Sequence, residues 1–187
     1  MGRWQPDAQG RLSVAALELY AERGYDRTSV ADIAARAGVT ERTFFRHFSD
    51  KREVLFDRTN AMGAAAVAAI ADSAPGLSPL QRAEAGMAAA GAFLEERRPW
   101  ARARAQVIAA TPSLQERELL KLSTLADDCA TAMREKGVPE PAATLAAEAG
   151  VAAFKMAFAG WIADDDPQTI AQRVHAHLRD LRELAVG

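Results

Sequence analysis

The sequence predicts an all-α protein of about nine helices, and three observations lead to that prediction. Alanine, the residue with the highest intrinsic helix propensity, occupies 43 of the 187 positions. The β-branched and aromatic residues that strands prefer never alternate with polar residues over a long run. Glycine, proline and capping residues recur at helix-length intervals along the chain. With 49% hydrophobic residues and a formal net charge of −2, the chain has enough apolar material for a sizeable core.

Three short helices are predicted near the start of the sequence. Residues 11–23 place apolar side chains on one stripe, and Gly24 follows them as a stop signal. Ser29 is a good N-cap for a second helix, which Gly38 ends after two turns. Thr40 can cap a third helix, which is predicted to end at Phe48. We therefore expect a first domain at residues 1–50.

Six further helices are predicted in a second domain, residues 51–187. Loop clusters rich in proline, glycine, serine and aspartate separate them. They are expected at residues 51–71, 79–98, 100–110, 113–136, 141–163 and 167–185. No repeat of fixed period is present in the sequence.

The sequence does not favour an enzyme, a metal site or a bound cofactor. The single cysteine, Cys129, excludes an internal disulfide and a cysteine-based zinc cluster. His175 and His177 are two positions apart, so they cannot share one face of a helix as paired metal ligands do. The acidic run at 164–166 precedes Pro167 and is explained by helix capping. Phosphate loops, dinucleotide fingerprints and nucleophile elbows are absent from the sequence.

We also expect a cytoplasmic protein without a membrane partner. Residues 1–7 are polar and lack the apolar segment of a signal peptide. The most apolar stretch, residues 64–71, is too short to span a bilayer.

The second and third predicted helices match the spacing of a helix-turn-helix motif, because a four-residue turn at 37–40 joins them. Spacing alone is a weak signal, since helical hairpins are common. The distribution of side chains on the third helix adds to it. At 100° per residue, one face carries aromatic residues that must dock on neighbouring helices, and the opposite face carries polar residues. The aromatic residues are Phe44, Phe45 and Phe48, and the polar ones are Arg42, Thr43, Arg46 and His47.

The polar face has the chemistry needed to bind the major groove of DNA. Arginine donates two hydrogen bonds to guanine, threonine bonds a base edge or contacts a thymine methyl, and histidine or lysine contacts phosphate. Lys51 is expected in the first turn of the fourth helix, where free backbone N–H groups also favour an anion. A solvated basic face on a purely structural helix explains the same pattern, so the spacing and wheel leave both interpretations open.

Four segments, in order and at matching spacings, resemble the DNA-binding domain of the TetR family of transcriptional repressors. The segments are AALELYAERGY (15–25), TSVADIA (28–34), AGV (37–39) and FFRHFSDK (44–51). The resemblance covers about residues 11–56. Beyond residue 60 it is architectural only, since the family typically adds six helices.

The resemblance implies a homodimer that binds a near-palindromic DNA operator and releases it when a small ligand enters the larger domain. It implies that Ser29 caps the second helix and, with Thr28, contacts phosphate. Arg42 and Thr43 are then expected to face bases, with Glu41 at the edge of the groove.

Two positions of the third helix depart from the family pattern. Phe45 stands where the family usually has tyrosine, so it lacks the hydroxyl that bonds a phosphate. Arg46 replaces an aromatic or small residue and can supply a compensating phosphate contact. His47 and Lys51 match the phosphate-contacting histidine and lysine of the family.

The acidic net charge does not exclude DNA as a partner, because the charge is unevenly distributed. Residues 1–58 carry ten lysines and arginines against nine aspartates and glutamates, whereas residues 59–187 carry thirteen against sixteen. Only the motif is locally basic, so a moderate salt dependence of binding is expected.

The resemblance places the effector among the fifth to seventh helices and the dimer contact on the last two. Residues of this kind more often form an ordinary core, but those that can line a cavity there are Met87, Phe93, Trp100, Arg104, Val107, Leu122, Leu125, Cys129 and Met133. Two apolar stripes on the last two helices are suited to a four-helix seam across a two-fold axis, or to the core of their own subunit. These stripes contain Phe154, Phe158, Trp161, Ile170, Val174, Leu178 and Leu181.

The predicted function is therefore a ligand-responsive DNA-binding regulator, most simply a repressor. The competing prediction is a helical dimer that binds a small molecule or a protein and has no specific affinity for an operator. The sequence identifies neither the operator nor the effector.

Overall fold

The computed structural model describes residues 8–56 and 60–186, and within these ranges the chain is helical and contains no strand. The predicted all-α class is thus confirmed. The polar segment at residues 1–7 lies outside the described residues. The nine α-helices of the described ranges are α1 (Ala8–Arg23), α2 (Val30–Arg36), α3 (Glu41–His47), α4 (Ala61–Ala71), α5 (Pro79–Ala92), α6 (Arg98–Ala109), α7 (Pro112–Glu135), α8 (Ala142–Ala163) and α9 (Ile170–Val186). Two short 3-10 turns, Glu53–Leu55 and Glu95–Arg97, complete the helical structure.

The described residues form two compact units. The first contains α1 to α3, the following 3-10 turn and Arg102–Arg117, which joins it from much later in the sequence. The second contains α4, α5, α8, α9 and most of α7. The sequence placed its domain boundary between residues 50 and 51, whereas compactness assigns the 3-10 turn at Glu53–Leu55 to the first unit.

The predicted fourth helix, residues 51–71, is wrong in its first half. After the turn at Glu53–Leu55, Phe56 is extended, with φ −111° and ψ 141°, and α4 starts only at Ala61. Val54, Leu55 and Phe56 are all buried. Three consecutive residues of a regular helix lie 100° apart and cannot all face one core, so the chain leaves the helix in order to bury them. Residues 57–59 of that predicted helix lie outside the described residues.

The predicted helix at residues 79–98 is also too long. Ser78 caps α5 through a capping box with Gln81, as the sequence indicated, but α5 ends at Ala92. The next helix, α6, already begins at Arg98, so Pro99 lies in its first turn. Proline is tolerated there because the N–H that it lacks would be unsatisfied anyway. In the intervening turn, Glu95 accepts a hydrogen bond from the backbone N–H of Ile170, at 2.8 Å. The chain thus uses this segment to cap the first turn of α9.

The last helix begins three residues later than predicted. Thr169 and Gln172 exchange hydrogen bonds between side chain and backbone, in a capping box that sets the start of α9 at Ile170. Pro167 therefore lies outside the helix.

Small residues allow close helix packing in the second unit. A Cβ added to Gly91 would lie 2.7 Å from the Cγ2 atom of Ile170, so α5 and α9 touch directly at this point. A Cβ on Gly150 of α8 would lie 3.0 Å from the Cβ of Ala83 on α5. The abundance of alanine and glycine, which also permits a cavity, here serves close packing at these positions.

Most of the residues in the two stripes predicted for a dimer seam lie in the core of their own subunit. Phe154, Trp161, Ile170, Val174 and Leu178 are buried, and Phe158 packs against them while partly buried. Leu181 is the exposed member of the set. A buried side chain cannot contact a second subunit without repacking. These six residues therefore pack within their own subunit, which is the alternative that the sequence left open.

Helix α8 carries apolar residues on both its buried and its exposed side, and the exposed side also carries Thr144, Glu148 and Lys155. By length and composition alone it could cross a membrane, but 44% of its apolar window is buried within the protein. Its exposed side carries apolar residues at alternating spacings of four and three positions, which on a helix form one stripe. They are Leu145, Ala149, Ala152, Met156 and Ala159, of which Ala149 is half-buried and the others are exposed.

We predict that two leucines of α7 differ strongly in their contribution to stability. Leu125 is 3% exposed and Leu120 is 60% exposed. Leu125→Ala should lower the free energy of unfolding by about 2–5 kcal/mol, because it removes buried methyl groups and leaves a cavity. Leu120→Ala, the matched control with equal helix propensity, should change it by less than about 0.5 kcal/mol. Chemical denaturation at one protein concentration measures both, and equal effects would contradict the described packing of α7.

Candidate nucleic-acid interface

The α2–α3 hairpin is closed by local hydrogen bonds of the kind that the sequence predicted. Gly38 takes the left-handed conformation, with φ +69°, and the N–H of Val39 donates back to the carbonyl of Ala34, at 2.9 Å. Thr40 then caps α3 by accepting a hydrogen bond from the N–H of Thr43, at 3.2 Å. The guanidinium of Arg11 donates to the carbonyl of Ala37 and connects the turn to α1. The predicted helix-turn-helix geometry is therefore present.

Two aromatic side chains dock α3 on the unit. Phe44 is fully buried, and Phe48, immediately after the helix, is nearly so. Their ring centroids lie 5.5 Å apart. A helix of seven residues is too short to be stable alone, so this docking holds it in place and decides which face points outward.

The outward face of α3 differs from the prediction at one residue. Glu41, Arg42 and Arg46 are exposed, as expected for groups that meet a ligand. Phe45, which the helical wheel grouped with the docked aromatic residues, is 55% exposed instead. It lies only 60° from Arg42 around the helix axis, so it belongs to the edge of the exposed face.

Thr43 and His47, the other polar members of the predicted face, are half-buried. The hydroxyl groups of Thr43 and Thr40 lie 3.1 Å apart and share a hydrogen bond. The ring of His47 lies beside that of Phe48, with centroids 6.4 Å apart. Both side chains thus sit where the exposed face meets the docked face.

Ser29 caps α2, as predicted, and remains exposed. Its hydroxyl donates to the carboxylate of Asp32 at 2.6 Å, and its backbone N–H donates to the same carboxylate at 2.9 Å. Arg23 adds an ion pair at 2.8 Å. The hydrogen bonds from Ser29 and, after them, the contact with Arg23 lower the pKa of Asp32 to about 2. Asp32 is therefore ionised at neutral pH and holds α2 against the end of α1.

Thr28 and Lys51 are brought together by contacts inside the unit. Thr28 is 1% exposed, and its hydroxyl donates to the carbonyl of Gly24 at 2.9 Å. The ammonium of Lys51 donates to the carbonyls of Tyr25 and Thr28, at 3.0 and 3.1 Å, and lies over the Tyr25 ring. The carbonyl of Lys51 in turn accepts from the hydroxyl of Tyr20, at 2.7 Å. Lys51 is in a turn, so its predicted place in the first turn of a helix was wrong.

Two further arginines near the motif have carboxylate partners. Arg36 pairs with Glu22 at 2.9 Å and with Glu18 at 3.3 Å, and its hydrogen bond lowers the pKa of Glu22. Arg52 pairs with Asp50 at 2.9 Å. Arg42, by contrast, has no such partner among the residues that the structure describes. Arg42 thus presents a positive charge that no carboxylate of the described residues offsets.

Sequence analysis missed the part that Arg102–Arg117 plays in this unit. Arg104 donates to the carbonyl of Leu55 at 2.8 Å and lies over the Phe56 ring at 4.8 Å. Arg117 donates to Glu53 at 3.0 Å. These partners are 49 and 64 positions apart along the chain, and no local pattern in the sequence indicates such pairs.

The nine residues predicted to line a ligand cavity are not brought together as one set. Met87, Leu125, Cys129 and Met133 are buried in one core of the second unit, and Leu122 packs against it. Phe93 is exposed and Trp100 is half-buried, and neither is part of this core. Arg104 and Val107 belong to the first unit. Burial raises the pKa of the Cys129 thiol to about 12, so this cysteine is protonated at neutral pH.

Comparison with known proteins relates the first unit to a family of regulators. The family model described as bacterial regulatory proteins of the tetR family matches residues 12–57. The transcriptional regulator TcmR of Streptomyces glaucescens is 44% identical over 66 residues, which are 35% of this chain and 29% of TcmR. The transcriptional activator FasR of Mycolicibacterium smegmatis is 40% identical over 48 residues, which are 26% of this chain and 22% of FasR. The chain thus matches less than a third of the length of each of these relatives.

Solved structures match nearly the whole chain, at low sequence identity. A TetR-family regulator from Syntrophomonas wolfei has a TM-score of 0.66 and 19% identity, with 97% of this chain and 96% of that chain covered. The repressor FadR of Thermus thermophilus, solved in complex with lauroyl-CoA, has a TM-score of 0.54 and 19% identity, with 94% and 93% covered. At these identities the likeness concerns the fold. The named relatives are regulators rather than enzymes.

The motif of α2 and α3, the family model over residues 12–57 and the shared fold agree with one another. Over residues 12–57 the chain belongs to the tetR family of bacterial regulatory proteins.

Proposed function

We propose that this protein is a transcriptional repressor that binds a two-fold symmetric DNA operator as a homodimer and releases it on binding a small molecule. It acts in the cytoplasm, where its operator is accessible. The observation that carries the proposal is the outward face of α3, on which two exposed arginines lie beside a hydroxyl and an imidazole.

Arg42 is the side chain best suited to contact a base. It is exposed on the first turn of α3 and is not engaged by a carboxylate among the described residues. Its guanidinium can donate two hydrogen bonds to the O6 and N7 atoms of a guanine. Thr43 and Glu41 flank it on the same helix, and Arg46 lies one turn further along, in reach of a base or a phosphate.

Phosphate contacts are assigned to Ser29, His47 and Arg46. Ser29 is exposed at the start of α2, and His47 is half-buried at the end of α3. Thr28 is left out of the contact set, because its side chain is buried and its hydroxyl is bound inside the unit. Lys51 contributes mainly by holding the loop of Tyr25 and Thr28, and adds positive potential to a phosphate nearby.

The dimer contact is proposed for the outer stripe of α8 together with the exposed leucines of α9. The stripe consists of Leu145, Ala149, Ala152, Met156 and Ala159, and the leucines are Leu181 and Leu184. A long helix that exposes an apolar stripe favours a partner helix, and small residues allow the two backbones to approach closely. A two-fold symmetric dimer presents two copies of α3, which is the arrangement that a palindromic operator requires.

The effector is proposed to bind the second unit, near its core of Met87, Leu125, Cys129 and Met133. These side chains form an apolar environment, and methionine adapts readily to ligands of different shape. FadR of Thermus thermophilus, which shares the fold, was solved with lauroyl-CoA. An apolar acyl chain is therefore a reasonable first class of compound to test.

We predict that Arg42→Ala weakens binding to the selected operator by about 1–3 kcal/mol for each half-site and relaxes the preference at one base position. The operator is first selected from a random pool with the wild-type protein, and affinities are then measured by titration against a shuffled duplex. Arg97→Ala, which removes an arginine from the second unit, is the control and should leave the affinity unchanged. If the wild-type protein selects no sequence, the competing function, a helical dimer without operator affinity, is favoured.

We predict that Met156→Glu converts the dimer to monomers, because it places a charge in the middle of the outer stripe of α8. Leu120→Glu is the matched control, since Leu120 and Met156 are equally exposed, at 60%. Sedimentation equilibrium gives the mass of each variant. A wild-type monomer, or a Met156→Glu variant that remains dimeric, would place the contact elsewhere or exclude it.

We predict that an effector raises the melting temperature of the protein and lowers its affinity for the selected operator. A panel that begins with lauroyl-CoA, with free coenzyme A as the control for the polar part, tests this by thermal shift and operator titration. A compound that stabilises the protein without releasing DNA would contradict induction by that compound.

In a reporter strain, deletion of the gene should raise transcription from the operator-linked promoter if the protein represses it.

A further inference from the structure

Phe45 is the one residue on the outward face of α3 whose exposure has no polar explanation. It is 55% exposed, while the other two phenylalanines of this segment, Phe44 and Phe48, are buried. Exposing most of an aromatic side chain to water is unfavourable at about 25 cal/mol for each Å². An exposed apolar ring beside Arg42, at the edge of the surface proposed to meet DNA, indicates an apolar partner on the DNA.

We propose that Phe45 contacts the 5-methyl group of a thymine in each half-site of the operator. The inference rests on the proposed DNA-binding function and adds to it a preference for one chemical group on one base. In the major groove, the edges of the base pairs present hydrogen-bond donors and acceptors, and the thymine methyl is the apolar group among them.

A phosphate is a poor partner for this side chain. Phenylalanine has neither a donor nor an acceptor, and the face of its ring carries partial negative charge, which repels an anion. The same ring packs well against a methyl group. The two neighbouring arginines supply the hydrogen bonds and the charge that Phe45 lacks, so the face combines polar and apolar contacts within one helical turn.

The ring of Phe45 is held in position before DNA binds. It meets the buried ring of Phe44 edge-on, with centroids 5.5 Å apart and planes at 81°. Edge-to-face packing is a favourable aromatic geometry. Because Phe44 cannot move without opening the interior of the unit, its contact limits the freedom of Phe45 and lowers the entropy lost on binding.

Thr43 is the other residue of α3 that could contact the thymine methyl group, because its side chain also carries a methyl group. It is half-buried, and its hydroxyl is shared with Thr40 at the N-cap of α3. Thr43→Ser removes that methyl and keeps the hydroxyl, so it separates the two residues in an experiment.

The test replaces each thymine of the selected operator in turn by deoxyuridine, which lacks only the methyl group. For the wild-type dimer, one symmetric pair of replacements should weaken binding by about fourfold per half-site, as expected for one buried methyl group. The Phe45→Ala dimer should bind the unmodified operator more weakly and lose its sensitivity to that replacement. The Thr43→Ser dimer should keep the wild-type sensitivity.

The outcomes separate the two proposals. If the wild-type protein selects no operator, the DNA-binding function itself fails. If it selects an operator but no thymine replacement weakens binding, or if Phe45→Ala is as sensitive as the wild type, the Phe45 contact is overturned while DNA binding stands. Loss of sensitivity in Thr43→Ser with sensitivity kept in Phe45→Ala would assign the methyl contact to Thr43.

Discussion

Burial of the Phe44 ring is the interaction on which the rest of the first unit depends. Helix α3 has seven residues, and a helix of that length does not persist in water without tertiary contacts. Because Phe44 is fully enclosed, the rotation of α3 about its own axis is set, and with it the direction of Arg42, Phe45 and Arg46. The carbonyl and ammonium of Lys51 then connect the following turn to α1 and to the loop before α2. The binding face is thus a consequence of the apolar docking behind it.

Sequence analysis succeeded where a structural signal is local. Ser29, Thr40 and Ser78 cap their helices because each N-cap needs only a hydroxyl and the backbone three residues ahead. It failed where the structure depends on partners far along the chain. The carbonyl of Leu55, released when the predicted helix breaks off, is satisfied by Arg104, and a window of a dozen residues contains no sign of that pairing. The wheel for α3 was misleading for a related reason, since Phe45 lies 60° from exposed Arg42 and also 60° from buried Phe48.

The α8 helix illustrates a second limit of periodicity. Its apolar residues form two stripes, one rich in aromatic side chains and one rich in alanine, and hydrophobic spacing fits both equally well. The structure places Phe154 and Trp161 inside and the stripe of Met156 outside. Only the arrangement of α5 and α9 around α8 distinguishes the two, and that arrangement is a property of the whole unit.

Gly91 and Gly24 differ in how their positions can change during evolution. Gly24 has φ +86° and nothing within 4 Å of an added Cβ, so asparagine, which tolerates that conformation, remains open to it. At Gly91 an added Cβ would lie 2.7 Å from Ile170, and every other amino acid carries a Cβ. Gly24 can be substituted by itself, whereas a substitution of Gly91 requires a change at Ile170 as well. Descendants of this chain should therefore vary at 91 and 170 as a pair.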